Sequence, residues 1–228
     1  MIKRILTITI LIATSLSLNA QTLNKDTVKN RKKNTLILYR VTAEYGESVM
    51  YGNRFVTSPY QIIRTGFNIE LPIRYGFGIQ TGLKYSFVSG SKVRKYAHYQ
   101  RDKNSYNGHM LDIPIRATYT LPIFWGLKIF AFTGTNLNIG LSQKETIKFN
   151  KKQIKGITNP LPYPTSGTHN VYPDIYNRFN VQLSVGGGLQ WKQFRLKGGY
   201  DWGMNDLYKS STKTAKLKGW YAGFEYQF

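Results

Sequence analysis

The sequence predicts an all-β fold: an eight-stranded antiparallel up-and-down transmembrane β-barrel with short periplasmic turns and long extracellular loops. Three observations support this prediction. Apolar and polar residues alternate in eight segments, the connections alternate between short and long, and aromatic residues mark both ends of the apolar faces. A period of two places successive side chains on opposite faces of a strand, and eight is the smallest number of strands known to close a membrane barrel.

The beginning of the chain has the pattern of an export signal. A short basic region (residues 3–4) is followed by an apolar segment (residues 5–18) and by a plausible cleavage site before Gln21. An uncleaved membrane anchor is the alternative for this segment. We therefore expect a signal peptide over residues 1–20, a polar basic tail over residues 21–34 and a barrel domain over residues 35–228.

Five alternating segments fill the first part of the barrel domain. In each of them, every second residue is mostly apolar and the residues between are mostly polar; the segments cover residues 37–45, 63–71, 77–87, 111–121 and 127–139. Proline lacks the N–H that a strand donates to its neighbour, so Pro114 predicts a local bulge or a defect in the ladder of the fourth strand.

The last three strands run from Phe179 to the end of the chain. Residues 179–191 alternate without interruption, and residues 194–202 and 219–228 repeat the pattern. The final strand carries aromatic residues and ends on one, which is typical of the signal that the barrel-assembly machinery reads in bacterial outer-membrane barrels. The residues assigned to this signal are Trp220, Phe224, Tyr226 and Phe228.

Connection lengths predict the orientation of the barrel. Tight turns at 72–76, 122–126 and 192–193 alternate with longer segments near 46–60, 90–107, 143–177 and 205–215. Bacterial membrane barrels have short turns in the periplasm and long loops outside. Aromatic girdles are expected at both interfaces: Phe77, Tyr119, Trp191 and Phe194 near the short turns, and Tyr45, Phe87, Phe179 and Trp202 near the long loops.

In each alternating segment, every second residue belongs to one face of the strand, here called a parity. The polar parity predicts the content of the lumen. It carries eleven charged residues: Arg40, Glu44, Arg64, Glu70, Lys84, Asp112, Arg116, Arg195, Lys197, Asp201 and Glu225. Side chains can fill an eight-stranded barrel, and buried charges must be paired, so we expect an ion-pair network that plugs the lumen. A narrow ion path is one alternative, although Phe130 and Phe132 share this parity and oppose it. A soluble, lipocalin-like barrel with the same period is the other.

No catalytic, cofactor or metal site is predicted. His98, His109 and His169 are the only histidines, and none has metal-ligand spacing to another. The absence of cysteine excludes disulfides and thiolate metal sites. The alternative from another class is an outer-membrane enzyme that modifies lipid A or phospholipid, with His109 as the base for a surface serine.

The charge of the chain points to an anionic partner. The 228 residues include 32 Lys and Arg against 11 Asp and Glu, for a net charge of +21. No nucleic-acid-binding motif accompanies this charge, so we expect no nucleic acid partner. Outer-membrane lipid and lipopolysaccharide phosphates suit a basic surface better. The basic loops 90–107 and 143–177 are also candidates for contact with an envelope protein.

Four segments resemble the PorT-like outer-membrane β-barrel family of Bacteroidota. They are Leu111–Ile115 (LDIPI), Gly186–Trp191 (GGGLQW), Tyr200–Asp206 (YDWGMND) and Gly223–Phe228 (GFEYQF). The resemblance extends over roughly residues 35–228 and includes the proline of the fourth strand. It implies a barrel in the cell outer membrane. It supplies no shared catalytic residues, and PorT itself is implicated in type IX secretion and gliding.

The sequence thus predicts a non-enzymatic outer-membrane barrel with a filled lumen and a structural, surface-binding or secretion-accessory role.

For the fold, we expect heat-modifiable migration on a denaturing gel after extraction in detergent. A closed barrel resists the detergent until it is boiled, because all of its backbone hydrogen bonds are made between strands. Identical migration of boiled and unboiled samples would contradict a barrel.

Overall fold

A computed structural model describes residues 37–52, 59–96, 99–149, 167–170, 172, 176–208 and 214–228. The predicted signal peptide and basic tail lie outside these residues. The described residues form nine strands: β1 (Leu38–Tyr51), β2 (Tyr60–Pro72), β3 (Phe77–Tyr96), β4 (Tyr99–Pro122), β5 (Leu127–Phe149), β6 (Gly167–Asn170), β7 (Phe179–Trp191), β8 (Phe194–Gly203) and β9 (Lys216–Gln227). In this part of the chain, no helix has the length and apolar character needed to cross a membrane.

Eight of the strands close into an antiparallel ring. Each strand pairs with the next along the chain, β5 pairs with β7, and β9 returns to pair with β1. The short strand β6 is hydrogen-bonded to β5 and lies outside the ring. The prediction of an eight-stranded up-and-down barrel is confirmed.

The exposed and buried faces of the strands are inverted relative to a soluble barrel. The outward parity exposes large apolar side chains such as Ile63 and Leu189. The inward parity buries polar side chains such as Asn68 and Ser184, both with no solvent exposure. A barrel that is apolar outside and polar inside is suited to lipid and not to water. The lipocalin-like alternative is therefore excluded.

The three short turns lie where the sequence predicts them. Between β2 and β3, Ile73 N donates to Phe77 O at 2.8 Å, and between β4 and β5, Ile123 N donates to Leu127 O at 2.9 Å. Both turns then place an aromatic residue in the left-handed region, Tyr75 with φ 55° and Trp125 with φ 47°. Glycine follows each of them, also with positive φ. The two turns therefore share one backbone conformation.

The prediction of a loop over residues 90–107 is wrong, and so is the prediction that a loop begins at residue 143. Strand β3 continues to Tyr96 and β4 begins at Tyr99, while β5 continues to Phe149. Pairs such as Ser91 with Ser105 and Asn107 with Lys144 keep the register of the barrel. Polar residues predominate on both parities here, and the few apolar or aromatic ones, such as Val93, Tyr106 and Ile147, do not restore the alternation that marks a strand at a water–lipid boundary. The sheet therefore rises well beyond the apolar band.

Pro114 produces the expected ladder defect. The register of β3 and β4 runs through Thr81 with Ile115 and resumes at Lys84 with Asp112, without a pair at the two positions between. On its other side, Pro114 pairs with Asn136 of β5. The defect leaves the register unchanged; a register shift lies further along β4, between His109 and Met110.

Deletion of Phe228 should lower the amount of assembled barrel several-fold. The Phe228 N–H donates to Tyr39 O at 3.2 Å and its ring stacks on Tyr39 at a centroid distance of 6.4 Å, so the last residue joins β9 to β1 at the seam. The measurement is the level of the protein in isolated outer membranes. Phe228→Tyr, which keeps the ring and the backbone bond, is the control. Normal levels of the deletion variant would contradict the role of this residue in assembly.

Candidate functional site

The strongest candidate site is the set of charged side chains in the lumen. All eleven predicted residues lie on the inward parity and are buried, with exposures from 1% to 7%. The pleat of the strands explains this placement, because every second side chain of a barrel strand points inward. Ten of the eleven form one connected set of ion pairs.

The end of this network near the short turns is built around two glutamates. Glu70 pairs with Arg40 and, at 2.7 Å, with Arg195. Arg195 lies 3.9 Å from Glu225, and Glu225 in turn contacts Lys197 at 2.5 Å. The four strands β1, β2, β8 and β9 are thus tied together through side chains as well as through the backbone.

Glu44 lies at the centre of the network. One of its oxygens accepts from Lys84 at 2.5 Å and from Lys197 at 2.6 Å, and the other lies 3.8 Å from Arg64. Arg64 continues the network toward the long loops, with Asp201 at 3.0 Å and Asp112 at 3.3 Å. A single carboxylate therefore joins cations from β2, β3 and β8.

Arg116 is the predicted residue that does not join an ion pair in the described part of the chain. Its Nη2 donates to Ser184 Oγ at 3.2 Å, and its guanidinium lies over the Phe132 ring at 4.5 Å and near the Tyr221 ring at 5.7 Å. Cation–π contact compensates part of the cost of burying the charge. The position of Arg116 is therefore set by aromatic rings rather than by a carboxylate.

Aromatic side chains fill the rest of the central lumen. Phe130, Phe132 and Tyr221 form one buried cluster. A Cβ at Gly186 would collide with the Phe132 ring, and a Cβ at Gly199 would come within 2.6 Å of the Tyr221 hydroxyl. The inward-facing glycines therefore make room for the rings. A cavity of about 10 Å³ remains beside Glu44, Arg64 and Asp201, which is room for about one water molecule.

A second apolar cluster, here called the outer cap, closes the lumen at its long-loop end. It consists of buried Met50, Tyr60, Leu207 and Ala215 with partly buried Val88, Tyr106, Tyr176, Tyr208 and Leu217 packed against them. The rings of Tyr176 and Tyr208 lie 4.9 Å apart. Burial, together with a hydrogen bond to Tyr208, raises the pKa of the Tyr176 hydroxyl. The Tyr176 hydroxyl therefore stays neutral within the outer cap.

The motif at Tyr200–Asp206 holds the outer cap in place. Asn205 Oδ1 accepts from the Val181 N–H at 2.7 Å, and the Asn205 amide donates to Phe179 O at 3.0 Å. Asp206 Oδ1 accepts from the N–H groups of Tyr208 and Ala215 at 2.9 and 2.8 Å. The outer cap was not predicted from the sequence, although the Asn-Asp pair that ends this motif could have indicated it.

The predicted girdle residues lie on the outward face. Near the short turns, Phe77 packs on Tyr119 at 4.7 Å, Phe194 lies 5.2 Å from Tyr226, and Trp191 is exposed. Near the long loops, Tyr45 lies 6.3 Å from Trp220, Phe87 lies 5.4 Å from His109, and Phe179 and Trp202 are exposed. Trp220, Phe224 and Tyr226 of the predicted assembly signal also face outward on β9.

The histidines show no catalytic arrangement in the described residues. His109 lies on the outward face, where its Nδ1 is hydrogen-bonded to the Tyr85 hydroxyl. His98 lies outside the described residues, and β6 contributes the backbone of His169. Within this part of the chain, no three His, Asp or Glu side chains are grouped as a metal site requires.

A family model described as an outer membrane protein beta-barrel domain matches residues 10–209. The chain belongs to this family. Membership places the protein in the outer membrane. The apolar outer face of the barrel is consistent with this location, because it requires a lipid environment. No protein of curated function matches the chain.

Three solved structures illustrate what the barrel resembles. Neisserial surface protein A is 11% identical, with 83% of this chain and 97% of that chain covered and a TM-score of 0.46. Ail of Yersinia pestis, in complex with the heparin analogue sucrose octasulfate, is 12% identical, with 84% and 99% covered and a TM-score of 0.41. The N-terminal barrel of Pseudomonas aeruginosa OprF is 13% identical, with 81% and 97% covered and a TM-score of 0.28. These likenesses carry no functional information.

Glu44→Gln should lower the free energy of unfolding of the barrel by about 3 kcal/mol or more, the cost of leaving buried charges without their partner. Lys84, Lys197 and Arg64 share this carboxylate, so one substitution affects all three. The measurement is urea-induced unfolding from lipid vesicles.

Glu47→Gln is the matched control for Glu44→Gln. Glu47 lies on the same strand with the opposite parity, and the structure shows no ion pair for it among the described residues. Its substitution should change stability little. Equal losses in the two variants would show that the lumen network does not stabilise the fold.

Proposed function

We propose that this outer-membrane barrel is a non-enzymatic, non-conducting protein that acts at the cell surface. It would do so through the extracellular sheet, defined here as residues 89–96 of β3, 99–108 of β4, 143–149 of β5 and all of β6. One observation carries the proposal: the lumen is filled along its length, while the same strands extend far beyond the bilayer. In the described part of the chain, side chains thus occupy the interior, and the larger surface open to a partner lies outside the bilayer.

The filled lumen argues against transport. Ion pairs connect the inner side chains from Glu70 near the short turns to Asp112 toward the long loops, and the outer cap lies above them. Breaking such a network to admit an ion would leave buried charges unpaired, at a cost of several kcal/mol for each. The cavity of about 10 Å³ beside Glu44, Arg64 and Asp201 has room for about one water molecule and not for a continuous path.

Strand lengths show how much of the sheet lies outside the membrane. A tilted strand crosses a bilayer with about 9 to 11 residues. Strands β4 and β5 have 24 and 23 residues, and β3 has 20. Roughly half of each strand is therefore available outside the bilayer. Basic positions outnumber acidic ones in this part of the sequence, which favours an anionic partner.

We also infer that the chain is a PorT-like member of its family, from Bacteroidota, with a signal peptide over residues 1–20. The support is in the motifs that resemble that family. Asp112 of the LDIPI segment accepts hydrogen bonds from Ser86 and Asn138, and Asn205 and Asp206 hold the outer cap. These residues have structural roles. Such roles suit a barrel that supports other envelope proteins, for example as an accessory to secretion.

The purified barrel should show no discrete conductance steps in planar lipid bilayers. The reason is that the ion-pair network and the outer cap close the lumen in series. A large porin reconstituted in the same lipid is the positive control for insertion.

Stepwise currents from the wild-type protein would refute the plugged barrel. For the lipid-modifying alternative, the matched assay is lipid A deacylation with wild type and His109→Ala. Turnover that the substitution abolishes would replace the non-enzymatic function with an enzymatic one.

A further inference from the structure

One side of the extracellular sheet continues the lipid-facing surface of the barrel. On β3, the outward parity runs through Tyr85 and Phe87 to Ser89, and residues opposite each other on antiparallel strands share a face. The chemistry changes abruptly at Ser89, from aromatic to polar. We call the outward side of the sheet from this point its lateral face.

The first row of the lateral face lies directly above the outer girdle. Ser89, Asn107, Lys144 and Asn170 are aligned across β3, β4, β5 and β6 by the strand register. Ser89 Oγ donates to Asn107 Oδ1 at 3.2 Å, and Asn107, Lys144 and Asn170 are exposed. The row is two residues beyond Phe87, or about 7 Å along the strand. Its height is therefore that of the lipid head groups.

The second row repeats this chemistry one step further out. Ser91, Ser105, Thr146 and Thr168 are aligned, and the hydroxyls of Thr146 and Thr168 lie 3.1 Å apart. Exposed Lys148 follows on β5, two residues beyond Thr146. The lateral face thus offers hydroxyl and amide groups together with the exposed ammonium groups of Lys144 and Lys148.

Acidic residues are segregated from this face. The extracellular sheet has acidic residues at Asp102 and Glu145. The strand register places both of them on the opposite, inward side of the sheet. A face with cations, hydroxyls and amides and without carboxylates is complementary to a ligand that carries phosphates and sugar hydroxyls. A ligand embedded in the surrounding leaflet would meet this side only.

We propose that the lateral face binds the phosphates and sugar hydroxyls of lipopolysaccharide in the outer leaflet around the barrel. This inference rests on the proposed surface function and specifies its partner. Lys144 and Lys148 hold the phosphates, and the serine, threonine and asparagine side chains hydrogen-bond the sugars. The continuity of the face with the lipid-facing strands favours a membrane lipid over a soluble protein or glycan.

The test measures lipopolysaccharide retained by the full-length barrel during size-exclusion chromatography in mild detergent. The four probes are rough lipopolysaccharide, the same material after dephosphorylation, phosphatidylglycerol and a soluble sulfated polysaccharide. Wild type should retain the first and lose most of it in high salt. In Lys144→Glu/Lys148→Glu, retention should fall about tenfold or more, since both substitutions replace a cation that attracts an anionic lipid surface with an anion that repels it.

Arg74→Glu/Lys192→Glu is the matched control. It makes the same change in net charge at exposed positions of the short turns, and it should retain lipopolysaccharide as the wild type does. Equal loss in both double variants would show that only net charge matters and would overturn the lateral face as the site. Equal retention by wild type and Lys144→Glu/Lys148→Glu would overturn it as well.

Other results separate this inference from the proposed function. Undiminished retention of dephosphorylated lipopolysaccharide would overturn phosphate recognition, and equal retention of phosphatidylglycerol would overturn sugar recognition. Either result would leave the plugged surface barrel intact. Retention of a soluble sulfated polysaccharide in place of lipopolysaccharide would overturn the membrane lipid as the partner. Conductance in planar bilayers would overturn the plugged barrel whatever the retention assay shows.

Discussion

The rest of the barrel depends on one constraint, the pairing of buried charges, which is centred on Glu44 and its three cationic neighbours. Charges inside a narrow barrel have little water around them, so each must find a partner among the side chains of other strands. Strand register, inward parity and the positions of the glycines are all arranged to make these pairs possible. The carboxylate at the centre contacts groups from three strands, and this placement requires the ring to be closed.

Pairing of charges also explains why the lumen contains aromatic rings. Six cations and five carboxylates share the interior, and Arg116 is the cation left without an acid among the described residues. Phe132 and Tyr221 provide their ring faces to it instead. The glycines that admit these rings are consequently part of the electrostatic solution and not only of the packing. The same residues therefore determine both the packing of this lumen and the compensation of its charges.

The sequence was sufficient for the fold because lipid on one side and a polar interior on the other impose a period of two. The same period placed each predicted charged residue on the inward face. The individual partners were not predictable, since they depend on how far each strand is staggered against strands on the other side of the lumen. The outer parts of β3, β4 and β5 gave no signal because polar residues interrupt the apolar–polar alternation on both of their faces. The outer cap combines residues at the outer ends of five strands with four residues of the connections, which have no period, and only its Asn-Asp motif was visible.

Residues 71–79 (LPIRYGFGI) and 121–129 (LPIFWGLKI) are two copies of one pattern, and the shared turn conformation of Tyr75 and Trp125 is its structural expression. Each copy ends one strand, reverses the chain and starts the next with a fixed register. A hairpin that carries its own register can be duplicated or exchanged as a unit. An even-stranded barrel can then change its circumference two strands at a time, so the modular element of this architecture is the hairpin rather than the single strand.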